Sequence, residues 1–196
     1  GAAIDEMATI EPPPDDAIIH ITFDLTQPLG LKAILGDLLQ IDALVHNAGV
    51  TEDSSRPQGY VESLGVPALS ALLHATRDRL MESRGALVVV SSYAAGRPEY
   101  GLYGKVKADL EDFTLRFAQG AAPFGVRANI IRPHYIEGTR NWPVGQPATA
   151  EKIPVRHFGQ PRDCGSLSYE LATNPFAPGA VVPIDGGVAL YERRVA

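Results

Sequence analysis

VVVSSYAAGRPEYGLYGKVKADLEDFTLRFAQGAAPFGVRANIIRP (88–133) holds the pattern from which the fold is read. Its ends belong to short apolar runs rich in Val and Ile, ALVVVS (86–91) and VRANII (126–131), neither of which alternates strictly with polar residues. Such runs suit strands buried on both faces of a parallel sheet. Between them, residues 101–118 set Val106, Leu110, Phe113 and Phe117 on one stripe at helical spacing. Gly120 and Pro123 then supply a stop. Strand, helix and strand in this order predict a βαβ crossover.

The same alternation extends outward in both directions. AIIHITF (17–23), DALVH (42–46) and AVVPI (180–184) read as further strands. A helix capped by Thr26 has Pro28 in its first turn and Leu29, Ile34, Leu35 and Leu38 on its apolar side, and residues 66–82 form another. The expected architecture is α/β: a doubly wound, mostly parallel sheet with helices on both faces, in one domain spanning 1–196. EPPPDD (11–16) and residues 141–152 read as loops, the second following a strand's carboxyl end, where a substrate-covering loop would sit.

Composition narrows the function classes. The chain has 196 residues, 45% hydrophobic and 20% charged, with a net charge of -6 and no Lys/Arg cluster, which argues against a nucleic-acid surface. The one cysteine, Cys164, rules out an internal disulfide and a cysteine-based zinc cluster, and makes a reducing, cytoplasmic setting the default expectation. No apolar run approaches the roughly 18 residues of a membrane span, and the first residues lack the basic and apolar regions of a signal peptide. There is no G-x-S-x-G, H-E-x-x-H or P-loop, and the five histidines show no metal-ligand spacing.

Tyr103 and Lys107 stand four residues apart on the helix over 101–118, so both project from one face. A phenol with a pKa near 10 is a poor acid or base at neutral pH. A neighbouring ammonium stabilises the phenolate and makes the tyrosine usable in general acid/base work. Ser91 and Ser92 end the preceding strand, where a hydroxyl can hold a carbonyl oxygen.

Residues 88–133 resemble the short-chain dehydrogenase/reductase family, in which a Ser after the fifth strand and a Tyr-x-x-x-Lys helix carry hydride transfer. HNAG (46–49) is similar to the family's Asn-Asn-Ala-Gly. Asp24-Leu25 resembles the Asp beside the adenine, and residues 158–187 resemble the final helix, last strand and Asp-Gly-Gly end. The resemblance runs from about Ala17 to Gly187 and implies a Rossmann-like fold, an NAD or NADP cofactor, a small carbonyl or alcohol substrate and a homotetramer or dimer. It implies that Tyr103 is the general acid/base for interconverting a ketone and a secondary alcohol. Lys107 would lower the Tyr103 pKa and hold the nicotinamide ribose, and Ser92, with Ser91 as fallback, would polarise the carbonyl. Asp24, Leu25, Asn47, Ala48, Gly49, Pro133, Ile136 and Thr139 would line the cofactor, while Tyr93 and Tyr100 would be pocket walls. Tyr93 and Arg97 form a Tyr-x-x-x-Arg pair of the kind seen in dehalogenase relatives, but in the turn before the helix.

Several positions depart from the family pattern. No G-x-x-x-G-x-G precedes Asp24, and Gly1 to Glu11 is too short for the missing helix and second strand, since a minimal unit needs roughly 17 residues. A segment ahead of Gly1 is the favoured explanation, and a truncated relative the other. Were Glu11 to end a second strand, its carboxylate would favour NAD over NADP. The family's catalytic Asn falls near Gly65, with Ser63 a poor substitute, while His134 replaces a Gly and His46 replaces the first Asn of the Asn-Asn-Ala-Gly motif. These departures keep an alternative open: a non-redox relative serving as a binding or regulatory module around a vestigial Ser-Tyr-Lys site.

Overall fold

The computed structural model describes residues 21–27, 30–35, 40–51, 55–139 and 150–192. Four strands, β1 (Ala43–His46), β2 (Ala86–Val90), β3 (Arg127–Pro133) and β4 (Val181–Ile184), lie in that order, and every neighbouring pair is parallel. The helices are α1 (Leu31–Leu35), α2 (Tyr60–Ser63), α3 (Val66–Ser83), α4 (Gly101–Ala121), α5 (Pro161–Thr173) and α6 (Val188–Glu192).

Strand β2 is the hub, and its alternating side chains separate the two layers. Leu87 and Val89 pack with Leu69, Leu73 and Leu80 of α3 and with Leu110 and Ala118 of α4. Val88 points the other way, into a cluster with Ile131 and with Cys164 and Leu171 of α5. Leu69, Leu80, Leu87 and Leu110 are at most 1% exposed, so each contributes about 1.5–3 kcal/mol by leaving water. This two-sided burial is why the strands read as continuous apolar runs.

The layering has a topological consequence. The chain steps across the sheet in the same direction three times, yet α3 and α4 cover one face and α5 the other. The β3–α5–β4 crossover therefore has the opposite hand to the first two, a departure from the near-universal rule for such units. Buried polar groups fasten it. Asn129 on β3 donates to the Leu171 carbonyl at 3.2 Å and accepts from the Ala180 amide at 2.9 Å, while Arg127 donates to the Ala172 carbonyl at 2.7 Å.

Element boundaries shift from expectation in several places, and the helix expected to be capped by Thr26 begins at Leu31, with Thr26 donating to Asp24 instead. Residues 21–23 carry no strand, and the rest of the expected 17–23 strand lies outside the described residues. Helix α4 passes through Gly120, which is solvent-facing, and ends at a 3-10 turn, Ala122–Phe124, followed by Gly125 at φ 82. The unexpected α6 is capped by Asp185, whose two carboxylate oxygens accept from the Gly187 and Ala189 amides at 2.8 and 2.9 Å. Gly1, Glu11, Pro28, Leu29, Leu38 and most of the 141–152 loop fall outside the described residues.

With all strands parallel, their carboxyl ends converge on one edge of the sheet. That edge carries His46–Gly49 after β1, Ser91–Ser92 after β2, His134 after β3 and Asp185–Gly187 after β4. Ligand crevices in open α/β sheets form at such an edge.

Candidate active site

Three consecutive residues at the end of β2 engage one face of α4. The Val90 carbonyl accepts from the Lys107 ammonium at 2.9 Å, Ser91 Oγ donates to Glu111 Oε1 at 2.5 Å, and the Ser92 hydroxyl, which accepts from the Ala94 amide at 3.2 Å, lies beside the Tyr103 phenol and favours its ionised form. Positions 103, 107 and 111 recur at four-residue spacing, so helical geometry alone puts them on the stripe that faces the strand end. The two serines thus separate: Ser92 meets the tyrosine, and Ser91 is tied to a buried carboxylate.

Burial opposes ionisation at both members of the pair. It pushes the Tyr103 phenol above its ordinary range, and the neighbouring Ser92 hydroxyl works against that rise. It also brings the Lys107 ammonium down to about 8, with Glu111 pulling in the opposite direction. Lys107 Nζ stands 5.8 Å from the Tyr103 ring centre, near enough for a cation to favour the phenolate electrostatically. Lysine has three ammonium hydrogens, and the Val90 carbonyl takes one.

Gly49 lies directly against this ammonium: a Cβ there would sit 2.9 Å from Lys107 Nζ. Gly49 is exposed to solvent, and among the described residues Lys107 keeps two ammonium hydrogens with which it could hold the ribose of a dinucleotide. Asn47 and Ala48 flank it, half-buried. Elsewhere the expected cofactor residues are already engaged with the protein. Asp24 Oδ1 accepts from the Thr26 amide and hydroxyl at 2.9 and 2.8 Å, which lowers its pKa, and Leu25 is half-buried beside it. The Pro133 carbonyl accepts from the Tyr93 amide at 2.9 Å. Thr139 Oγ1 donates to the Ile136 carbonyl at 2.8 Å, leaving its oxygen free only as an acceptor.

The departures from the family pattern acquire physical reasons. Gly65 caps the start of α3 where that helix nearly touches α4, and a Cβ would meet Val106 Cγ1 at 2.7 Å, so no side chain fits. Ser63 Oγ is bonded to the Tyr60 carbonyl at 2.8 Å. His46, 1% exposed, reaches no hydrogen-bond partner with either ring nitrogen, although the adjacent Leu64 backbone slightly favours its protonated form. His134 stacks on Tyr93 with ring centres 4.0 Å apart, and burial brings its pKa down to about 4.

Tyr93 belongs to a separate cluster. Its hydroxyl bonds Glu192, Arg97 lies 3.8 Å over its ring, and burial followed by Glu192 drives its pKa upward, the reverse of what an acid/base needs. Tyr93, Arg97, Arg132, Pro183, Asp185 and Glu192 line a cavity of about 700 Å³ whose walls include none of Ser92, Tyr103 and Lys107. Tyr100, 38% exposed, packs edge-on against Tyr93.

Gly104 gives the site its tight seat. A Cβ there would lie 2.8 Å from both the Ala94 and Arg97 carbonyls, in the turn that precedes α4. Alanine at a helical position gains about 1 kcal/mol over glycine, whereas overpacking against fixed backbone costs about 1–3 kcal/mol. Gly104→Ala is therefore expected to be destabilising in urea titrations, and a stabilised variant would refute this close approach.

Comparison with known proteins agrees with this geometry. A family model described as enoyl-(acyl carrier protein) reductase matches residues 12–189, most of the chain. The chain belongs to the short-chain dehydrogenase/reductase family. It is 28% identical over 179 residues to the cyclohexanol dehydrogenase of Rhodococcus sp. (strain TK6), covering 81% of this chain and 66% of that enzyme. Among solved structures it is similar to the apo SCOR enzyme from Clostridium thermocellum, at 26% identity and TM-score 0.75, over 87% of this chain and 73% of the other. It is also similar to the Pseudomonas aeruginosa RhlG/NADP active-site complex, at 25% identity and TM-score 0.73, over 86% and 75%. The chain spans between 65% and 72% of the length of the first four curated relatives. Among the described residues, no helix is long and apolar enough to cross a membrane, and no cluster of His, Cys, Asp and Glu could hold a metal ion.

Proposed function

We propose that this chain acts as an NAD(P)-dependent oxidoreductase that interconverts a ketone and a secondary alcohol. The observation that supports it best is the attachment of Lys107 to the end of β2, with Tyr103 one turn away on the same helix face and the exposed Gly49 against the ammonium. A nicotinamide dinucleotide, when bound, supplies or accepts the hydride. Ser92 donates a hydrogen bond to the substrate oxygen, and Tyr103 gives that oxygen its proton in reduction or removes it in oxidation. Lys107 holds the ribose hydroxyls with its unused hydrogens and stabilises the phenolate left on Tyr103. Asn47, Ala48 and Gly49 form the floor under the ribose, with Pro133, Ile136 and Thr139 towards the carboxamide and Asp24 and Leu25 towards the adenine.

The relatives' names favour small carbonyl and alcohol substrates, and the RhlG complex favours a nicotinamide dinucleotide as cofactor. Titration with NADH and NADPH, followed by nicotinamide fluorescence, should give saturable binding. Lys107→Met should weaken that binding and lower kcat together, because one ammonium serves both ribose and phenol. A folded wild-type chain that binds neither dinucleotide favours the non-redox alternative.

A further inference from the structure

Glu111 is 5% exposed, yet it is a carboxylate in the middle of a sheet–helix interface. Burying a charge is costly unless it is paired and hydrogen-bonded. Here both conditions are met from two strands: Ser91 Oγ reaches Oε1 from the end of β2, and Arg132 of β3 grips both oxygens, with Nε 2.7 Å from Oε1 and Nη2 on Oε2. Arg132 reaches outward to water, its side chain 39% exposed.

The position of this clamp is what gives it a role. Ser91 lies between Val90, which holds Lys107, and Ser92, which lies beside Tyr103. On the helix, Glu111 is one turn beyond Lys107, which is one turn beyond Tyr103. The Val90–Lys107 and Ser91–Glu111 bonds are adjacent rungs of one ladder, so displacing the Ser91–Glu111 rung disturbs Lys107 and, one turn further on, Tyr103. Lys107 faces Tyr103 and Glu111 on its own helix, His46 from β1, and the Val90 carbonyl from β2. Glu111 is the carboxylate among these groups.

Building on the dehydrogenase reading, we propose that Glu111, clamped by Ser91 and Arg132, is a positioning residue that sets the placement of the Tyr103–Lys107 pair and supplies the negative charge facing Lys107. Arg132 acts through Glu111, holding its oxygens and offsetting part of its charge. The two residues should then move Lys107 in opposite directions. Without the Glu111 charge the ammonium is harder to keep, and without the Arg132 charge the Glu111 field on it grows.

The chain contains four lysines, so 13Cε-lysine labelling makes the Lys107 titration readable by NMR, with Lys107→Arg for assignment. In Glu111→Gln the Lys107 inflection should fall by about one pH unit, and in Arg132→Gln it should rise. The high-pH limb of kcat should follow the inflection in each variant, with KM for the carbonyl substrate little changed. An inflection unmoved in Glu111→Gln, displaced the same way in both variants, or uncoupled from the kcat limb overturns the assignment. If Glu111→Gln does not fold, the direction seen in Arg132→Gln decides. A folded wild-type chain that binds no nicotinamide defeats the dehydrogenase reading instead, and the Lys107 titration still settles the role of Glu111.

Discussion

Tyr103→Phe is expected to lower kcat/KM for carbonyl reduction by roughly 10²–10⁴-fold, the usual contribution of a positioned acid/base group. The ring packing survives this change, because only one oxygen is removed and the aromatic body stays in place. Dinucleotide affinity should therefore be nearly unaltered, since Lys107 and Gly49 are untouched. The contrast separates Tyr103 from Lys107, whose loss should weaken binding and turnover together. Ser92→Ala should fall between wild type and Tyr103→Phe, whereas Ser91→Ala should act chiefly through Glu111. A Tyr103→Phe variant retaining more than about a tenth of wild-type turnover would exclude the phenol as the proton donor.

The second large effect concerns stability in acid. His46 is buried, and burial, followed by the like charge of Lys107, brings its pKa down from 6.5 to about 4. In the unfolded chain the ring protonates at its ordinary value, so between pH 6.5 and 4 the unfolded state binds the extra proton. The stabilising contribution of neutral His46 is thus complete above pH 6.5 and is lost as the pH falls towards 4. The full difference corresponds to roughly 3 kcal/mol. His134, which burial also brings down to about 4 against the opposing pull of Asp185 and Glu192, adds an effect of the same sign. Urea unfolding between pH 7 and 4.5 should show a steep loss of stability in the wild type and a shallower one in His46→Asn. Equal slopes would show that the ring is not held neutral.

The β2–α4–β3 unit was legible because its signals are local. Val and Ile runs mark strands buried on both faces, a stripe of Val106, Leu110 and Phe113 marks a helix, and Pro123 falls just past its end, whereas Gly120, read as part of the stop, lies inside it. Helical spacing put Tyr103 and Lys107 on one face, and their roles were taken from the resemblance to the family. What stayed hidden depends on contacts distant in sequence. What distinguishes Ser91 from Ser92 is its bond to Glu111, twenty residues beyond it, which Arg132 holds from another strand. Nothing in SLGVPAL (63–69) announces that Gly65 abuts Val106 of α4. The hand of the β3–α5–β4 crossover is likewise silent, since the pattern of α5 shows an apolar side but not which face of the sheet it covers. One available signal was missed: Glu111 sits at the same four-residue interval that relates Tyr103 to Lys107. An acidic residue on the buried stripe of an amphipathic helix calls for a partner.

The dehydrogenase account is tested most directly by following the transferred hydrogen. Wild-type protein and Tyr103→Phe would be incubated with reduced nicotinamide dinucleotide carrying deuterium at C4, together with cyclohexanone and a 3-oxoacyl thioester. The account predicts deuterium on the carbinol carbon of at least one product with the wild type, and at least a hundredfold less with Tyr103→Phe. Equal deuterium transfer by the two proteins would contradict it, as would no transfer by a wild type that binds the dinucleotide.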